Sequence, residues 1–280
     1  MCIRDRRGVA WLTNRGLDSH RLKKPVMNGM VGDDRLGHLL ISSLSDAGVV
    51  SRLSLHPKEP TGTSLVLVTP DGQRTMFTSL GASQKLLPGD IDREALDRST
   101  FFYATAYLWG LAGLQEALFV ASSEARKKGI LVAFDIADPF IANRFGREIK
   151  DWISNSVDLL FANEDEARML ATIIDGEPAV GAPEVACASV ATLAPTVVVK
   201  VGADGCVVWQ YGKLLVSAPG VSATVLDTTG AGDSFSAGFL FAMLAGGSPK
   251  EAASLANRLG AAIVEVEGCN YDEISPGFSL

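Results

Sequence analysis

Short runs of β-branched and aromatic residues alternate with longer amphipathic or alanine-rich stretches through most of this chain. The short runs predict buried strands at 101–104, 130–135, 158–161 and 196–201. The longer stretches predict helices at 114–128, 142–154, 163–171, 182–193, 234–245 and 250–266. Because strands that alternate with helices are typical of α/β proteins, we expect a parallel sheet with helices on both faces.

Two further pairs of short runs predict β-hairpins. Residues 205–209 and 214–217 pair across a turn at 211–213. Residues 63–69 and 74–78 pair across Pro70-Asp-Gly72, a composition that favours a tight turn. Because this second hairpin is local and antiparallel, we expect it to lie outside the parallel sheet. An edge hairpin of that sheet is the alternative.

The first recognisable motif is Gly-Met-Val-Gly-Asp-Asp-Arg-Leu-Gly at residues 29–37. We expect a helix after it, running through Leu44 to Gly48. Residues 1–25 form an atypical N-terminus, because Met1–Arg7 matches no ordinary opening of a strand or a helix. Residues 1–280 are treated as one domain, since this length suffices for a single α/β core.

Composition and charge narrow the class of partner. Apolar residues make up 47% of the chain and charged residues 20%, which is typical of a water-soluble globular protein. The net charge is −7, which argues against duplex nucleic acid as a partner. Neither a membrane-spanning apolar run nor a signal-peptide core is evident, so we expect no membrane partner.

The cysteines are spread along the chain without a Cys-x-x-Cys pair, at positions Cys2, Cys187, Cys206 and Cys269. Reduced thiols in a cytoplasmic protein are the simplest interpretation, and no metal site is expected from them.

One segment carries most of the chemical information: residues 227–239 read Asp-Thr-Thr-Gly-Ala-Gly-Asp-Ser-Phe-Ser-Ala-Gly-Phe. Gly230 and Gly232 permit a sharp turn, and an apolar helix follows at once. The free N–H groups at such a helix start predict an anion site. Asp233 adds a carboxylate at its edge, and transfer of a phosphoryl group to a hydroxyl needs this combination. The alternative for Gly-Ala-Gly-Asp alone is a simple helix cap.

These thirteen residues resemble the second signature of the ribokinase (PfkB) family of carbohydrate and nucleoside kinases. The resemblance extends over residues 29–270, and the stretches 107–109, 135–139 and 161–166 are most similar to the adenosine-kinase-like branch. It implies a ribokinase-like three-layer α/β/α sandwich, in which the hairpin at 61–80 contributes to a small, partial β lid.

The resemblance also implies a reaction, namely transfer of the ATP γ-phosphoryl group to a hydroxyl of an adenosine-like nucleoside. Asp233 would be the base, the backbone of Gly230, Ala231 and Gly232 the anion hole, and Mg²⁺ would bridge the phosphates. A sugar acceptor, of the ribokinase, fructokinase or ketodeoxygluconokinase type, is the alternative. The chain lacks the P-loop, dinucleotide-binding and protein-kinase motifs.

The resemblance further implies a set of positions that contact ATP and Mg²⁺, namely Asn163, Glu166, Lys200, Gly202, Gly205 and Asn257. Each has a structural alternative. Asn163 and Glu166 match a helix capping box, residues 202–205 match a glycine turn, and an asparagine within a helix more often faces solvent. Asp135 and Asp138 follow a core strand, where α/β folds place ligands, but both could cap turns.

Asp227 and Thr229 precede the signature turn. The resemblance implies that the Asp227 carboxylate and the Thr229 carbonyl hold a monovalent cation, K⁺, together with backbone carbonyls near Ile263, Val266 and Gly268. A strand end with satisfied hydroxyls is the alternative.

The family has an N-terminal strand, an acceptor-binding aspartate and a Gly-Gly motif that we do not find before residue 29. We therefore expect an N-terminally truncated chain, and a non-catalytic nucleotide-binding relative stays open as an alternative function. The expected partner is a small sugar or nucleoside, and the expected state is a monomer or a homodimer.

Overall fold

The computed structural model describes residues 3–15, 22–68, 74–275 and 278. The strands are β1 (Val26–Gly32), β2 (Val50–His56), β3 (Thr63–Val68), β4 (Arg74–Ser79), β5 (Phe101–Thr105), β6 (Leu131–Asp135), β7 (Leu159–Asn163), β8 (Thr196–Lys200), β9 (Gly205–Gln210) and β10 (Lys213–Pro219). The helices are α1 (Ile3–Arg15), α2 (Arg35–Asp46), α3 (Arg93–Asp97), α4 (Ala112–Lys127), α5 (Pro139–Ser156), α6 (Glu164–Asp175), α7 (Pro183–Ala186), α8 (Ala231–Leu244) and α9 (Pro249–Val264).

The main sheet has the strand order β10-β9-β8-β7-β6-β5. The strands from β5 to β8 run parallel, as predicted, whereas β9 and β10 are antiparallel to their neighbours. The sheet is therefore mixed rather than purely parallel, because the predicted hairpin at 205–217 adds two strands to one edge. β1 and β2 form a separate parallel pair that the sequence interpretation missed.

Helices cover both faces of the main sheet, as expected. Phe134 of β6 and Leu160 of β7 pack into a core with residues of α4, α5 and α6. Phe161, the next residue along β7, packs into a second core with residues of α1, α8 and α9. The alternation follows from the two-residue side-chain period of a strand and produces three layers, helix, sheet and helix. Gly238 of α8 lies directly against Ala256 of α9, and a Cβ there would be 3.0 Å from the Ala256 Cα.

The β3–β4 hairpin forms a two-stranded antiparallel sheet of its own, so the edge-strand alternative is wrong. Its predicted turn at 70–72 lies outside the described residues. Leu65 and Phe77 are partners on one face and are 63% and 60% exposed. Met76 on the other face is 62% exposed. This apolar exposure is compatible with a lid, which stays a prediction.

Two segments differ from expectation. Part of the atypical N-terminus is helical, because α1 packs Trp11 and Leu12 into the core that contains α8 and α9. The helix predicted at 182–193 is only the short α7, followed by a 3₁₀ turn at 190–192. The buried residues of this stretch keep a helical spacing. After α7, however, backbone N–H groups donate to the carbonyl three residues earlier, as the Val190 N–H does to the Cys187 carbonyl.

Within the described ranges, every helix is either too short or too polar to cross a lipid bilayer.

Candidate active site

The signature turn leads directly into α8. Gly230 is its N-terminal cap and has φ of 82°, a left-handed conformation that glycine adopts without strain. The Ser234 N–H donates to the Gly230 carbonyl at 2.8 Å and begins the helical bonding. Gly232 is exposed and Asp233 is half-buried, so both line the surface at the start of the helix.

The predicted anion hole is thus a helix N-terminus, whose first N–H groups lack helical acceptors. One of the three predicted donors is engaged within the protein, because the Ala231 N–H donates to the Thr228 carbonyl at 3.2 Å. The first-turn dipole still favours an anion at this position.

A largely buried lysine lies beside this turn. The Lys200 Nζ, at the end of β8, donates to Asp135 Oδ2 at 2.8 Å. A Cβ built on Gly232 would be only 3.6 Å from that nitrogen, so the ammonium adjoins the predicted anion hole. Burial alone would lower the pKa of Lys200, but the Asp135 and Glu166 carboxylates outweigh it and the pKa is raised. The lysine is therefore a fixed positive charge at the site.

Asn163 and Glu166 form the capping box at the start of α6. The Glu166 N–H donates to the Asn163 side chain, and Asn163 donates from its backbone N–H and its Nδ2 to the two Glu166 oxygens, each at 2.8 Å. The structural alternative is thus confirmed. Glu166 is 1% exposed, and this burial, reinforced by Asp135, raises its pKa to about 7.

The two aspartates after β6 have different environments. Asp138 caps α5 by accepting from the Phe140 N–H at 2.8 Å, as the turn-capping alternative predicts. Asp135 is 2% exposed and accepts from Lys200 and from the Ser236 hydroxyl of α8. Ala137 between the aspartates has φ of 58°, an uncommon conformation for alanine that is enriched at functional sites.

The glycine turn after β8 contacts the end of β10. Gly205 has φ of 99° and lies against the Ala218 carbonyl. Asn257 of α9 is 7% exposed, and its Nδ2 donates to the carbonyls of Ala218 and Pro219 at 3.2 and 3.0 Å. The solvent-facing alternative for Asn257 is therefore wrong. Gly202, which opens the turn, has φ of 61°.

Asp227 adjoins the segment that follows α9. Its Oδ1 accepts from the Thr229 N–H at 2.8 Å, and its Oδ2 accepts from the Gly268 N–H at 3.0 Å. The N–H groups of Leu226 and Asp227 both donate to the Val264 carbonyl. Three of the residues predicted to surround a monovalent cation, Asp227, Thr229 and Gly268, are thus neighbours.

Residues 13–275 match the model of the pfkB family carbohydrate kinases. The chain belongs to the PfkB family. Its membership makes it a kinase, a phosphotransferase with an alcohol group as acceptor.

Comparisons with individual proteins and solved structures support the same family assignment. An adenosine kinase of Schizosaccharomyces pombe is 27% identical over 254 residues, covering 87% of this chain and 74% of that protein. An uncharacterised sugar kinase of Archaeoglobus fulgidus is 27% identical over 242 residues, covering 86% and 91%. The crystal structure of adenosine kinase from Sinorhizobium meliloti superposes with a TM-score of 0.83 at 28% identity, covering 95% of this chain and 77% of that one. The ribokinase-like fold is therefore confirmed.

The sequence interpretation of this PfkB kinase missed Ser236 and Tyr103, which both approach the Asp135 carboxylate. The signal available in the sequence for Ser236 was a polar residue within the otherwise apolar run 235–242. Two cavities of about 370 and 500 Å³ lie elsewhere, lined by residues around 191–195 and between 221–223 and 258–278. The Asp233 region belongs to neither of them.

Proposed function

We propose that this PfkB kinase transfers the ATP γ-phosphoryl group to a primary hydroxyl of an adenosine-like nucleoside, with Asp233 as the general base. The observation that carries the proposal is the juxtaposition at the start of α8, where a carboxylate, an exposed glycine turn and the Lys200 ammonium adjoin each other. The similarity to adenosine kinases in both sequence and structure supports the acceptor class.

In the proposed reaction, the first-turn N–H groups of α8 and the Lys200 ammonium bind the transferred phosphoryl oxygens. Negative charge on these oxygens develops in the transition state, so donors already fixed in place stabilise it. Asp233 accepts the proton of the acceptor hydroxyl. At the same time the hydroxyl oxygen bonds to the γ-phosphorus, and the bond between that phosphorus and the ADP oxygen breaks.

The nucleotide would lie along the turn at 202–205, with Asn257 fixing the backbone beneath it.

Mg²⁺ prefers oxygen ligands, and the Glu166 carboxylate and the Asn163 side-chain oxygen would provide them near the phosphates. Bound Mg²⁺ would neutralise phosphate charge. Since both Glu166 oxygens already accept from Asn163, a cation here would contact Glu166 through water or through a remaining lone pair.

The proposal also includes a bound cation, a lid over the acceptor and a cellular location. K⁺ would bind next to the signature through Asp227, the Thr229 carbonyl and carbonyls between 263 and 268. The β3–β4 hairpin at 61–80 would cover the acceptor as a lid. A cytoplasmic location fits the use of ATP and the buried free thiols of Cys187 and Cys206.

A sugar is the second candidate acceptor, because the Archaeoglobus sugar kinase is as similar as the yeast adenosine kinase. Purified protein with ATP–Mg²⁺ should be offered adenosine, other nucleosides, ribose, fructose and ketodeoxygluconate. We expect the highest kcat/KM with adenosine. A higher value with a sugar would favour the second candidate. ATP binding without phosphorylation of any acceptor would instead indicate a non-catalytic relative.

A further inference from the structure

One buried carboxylate joins the sheet to α8. Asp135 ends β6, and its Oδ2 accepts from Lys200 Nζ at 2.8 Å and from Ser236 Oγ at 2.9 Å. The Tyr103 hydroxyl of β5 is 3.5 Å from the same oxygen. The Ala137 N–H is 3.2 Å from Oδ1. Donors from three other parts of the fold therefore converge on one side chain.

The bonds to Lys200 and Ser236 bridge elements that are not neighbours. Lys200 ends β8, and β7 lies between β8 and β6 in the sheet. Ser236 belongs to α8, less than one turn after Asp233, and is fully buried. Since Ser236 and Asp233 share the first turns of a rigid helix, the bond from Ser236 fixes the proposed base relative to the sheet.

Because the ion pair of Asp135 and Lys200 is poorly exposed to solvent, loss of the Asp135 carboxylate should strongly affect Lys200. The side chains of Lys200 and Asp135 are 13% and 3% exposed, so bulk water solvates both charges poorly. Removal of one member of a buried ion pair leaves an uncompensated charge, which then moves or changes its protonation. Without Asp135, the Lys200 ammonium would lose the carboxylate that lies 2.8 Å away and holds it beside Gly232.

We propose that Asp135 is a positioning residue of the phosphoryl-transfer site: it holds the Lys200 ammonium against the Gly232 turn and anchors α8 through Ser236. This inference rests on the proposed function for its effect on turnover. Its effect on Lys200 itself is independent of the reaction. Asp135 does not touch the phosphoryl group and acts through the lysine and the helix.

The activity test is a double-mutant cycle with D135N and K200M, measured with ATP–Mg²⁺ and the best acceptor of the panel. We expect D135N to lower kcat by roughly 100-fold, since small displacements of catalytic groups have effects of this size. The acceptor KM should change less than about twofold, because a positioning defect acts on the transition state. The double variant should lose at least roughly fivefold less than the product of the two single losses.

The second readout does not need activity. Competitive acetylation with acetic anhydride, followed by mass spectrometry, reports the nucleophilicity of each lysine. In D135N, Lys200 should react roughly tenfold faster than in the wild type, which corresponds to the loss of one pKa unit of stabilisation of its charged form. D97N is the matched control, because it removes the carboxylate partner of Lys128 in an exposed ion pair. It should leave both kcat and Lys200 labelling unchanged.

The outcomes separate the two proposals. An inactive wild type would contradict the proposed function, and the acetylation result would still decide whether Asp135 holds Lys200. Unchanged Lys200 labelling in D135N would overturn the inference whatever the activity. Strictly multiplicative losses in the cycle would also overturn it, because they would show that Asp135 does not act through Lys200.

Discussion

The carboxylate of Asp227 accepts a hydrogen bond from the backbone N–H of Gly268 at 3.0 Å, and so joins the start of the signature to the segment after α9. This bond aligns the two stretches that would supply ligands to K⁺. A cation held there would stabilise the turn that begins α8, where the γ-phosphoryl group is proposed to bind.

Replacement of Asp227 by alanine should therefore remove any dependence of kcat on the monovalent cation. We expect the wild type to turn over faster in KCl than in NaCl at equal ionic strength, and D227A to be slow and equal in both. Steady-state assays in the two salts measure this. D272N, in the C-terminal segment, is a control that should keep the wild-type ratio. Equal wild-type rates in the two salts would contradict the proposed K⁺ site.

Asp233→Asn should abolish transfer and spare ATP binding. Removal of a general base typically costs about 10²–10⁴-fold in rate, and the amide cannot accept the acceptor proton. Turnover assays and calorimetric titration with ATP–Mg²⁺ measure the two properties. D46N, at the exposed end of α2, should be as active as the wild type. Retention of most activity in D233N would assign the base to another residue.

Asn257→Ala should destabilise the fold by about 1–3 kcal/mol, because it leaves two carbonyls of the β10 end without their donor. The same change should raise the KM for ATP, since these carbonyls adjoin the turn at 202–205. Urea unfolding and initial-rate kinetics measure the effects. Asn155→Ala is the matched control, because Asn155 is an exposed helical asparagine bonded to the Asp151 carbonyl. It should change stability by less than about 0.5 kcal/mol.

Gly230→Ala should cost roughly 1–2 kcal/mol of stability, because alanine would have to adopt the left-handed conformation at φ of 82°. The relaxation that avoids this strain would turn the first N–H groups of α8 away from their present direction, so kcat should fall as well. Gly89→Ala is the control, since a Cβ at Gly89 meets nothing within 4 Å. Equal stability of the two variants in urea would be inconsistent with the strain argument.

The buried Glu166 should make stability fall with rising pH. Its pKa is raised to about 7 in the folded protein, chiefly by burial and by the Asp135 charge, against an ordinary value of 4.5. Between these two values the folded state binds more protons than the unfolded state, so the free energy of unfolding decreases as the pH rises. The decrease attributable to this group is on the order of 2–3 kcal/mol.

Urea unfolding of the wild type and Glu166→Gln between pH 4.5 and 7.5 tests this. The difference in unfolding free energy between the two should grow in favour of the glutamine variant as the pH rises. Glu177→Gln, on the surface, should keep a constant difference from the wild type. A pH-independent difference for Glu166→Gln would show that the pKa of this carboxyl is the same in the folded and unfolded states.

Strands β5 to β8 could be predicted because their apolar runs are largely buried on both faces and end at clear breaks. The helix expected at 182–193 is an exception among the later elements. β1 and β2 could not be predicted equally well. Val26–Gly32 contains three residues of types that are depleted in strands, namely Asn28, Gly29 and Gly32. Val50–His56 has an alternating pattern that is typical of a strand. The sequence does not show which strand it pairs with, and in the structure that partner is β1.

The candidate site, like the fold, could be predicted from the sequence only in part. The Asp233 turn is local in sequence, so its residues alone indicate a helix start with a carboxylate. The network of Asp135, Lys200 and Ser236 is set by tertiary packing, because strand order decides which β-strand ends meet. Asn257 illustrates the limit: its burial depends on where β10 ends, and helical spacing alone does not contain that information.

The bond between Asp135 and Ser236 spans 101 residues. During translation, the parallel strands β5 to β8 can leave the ribosome and pair before residue 236 is made. α8 must then dock against a sheet that already exists, and only this docking brings the acid, the lysine and the signature turn together. Assembly of the proposed phosphoryl-transfer site would then be a late event in synthesis, and a chain arrested before α8 would have much of the sheet without the site.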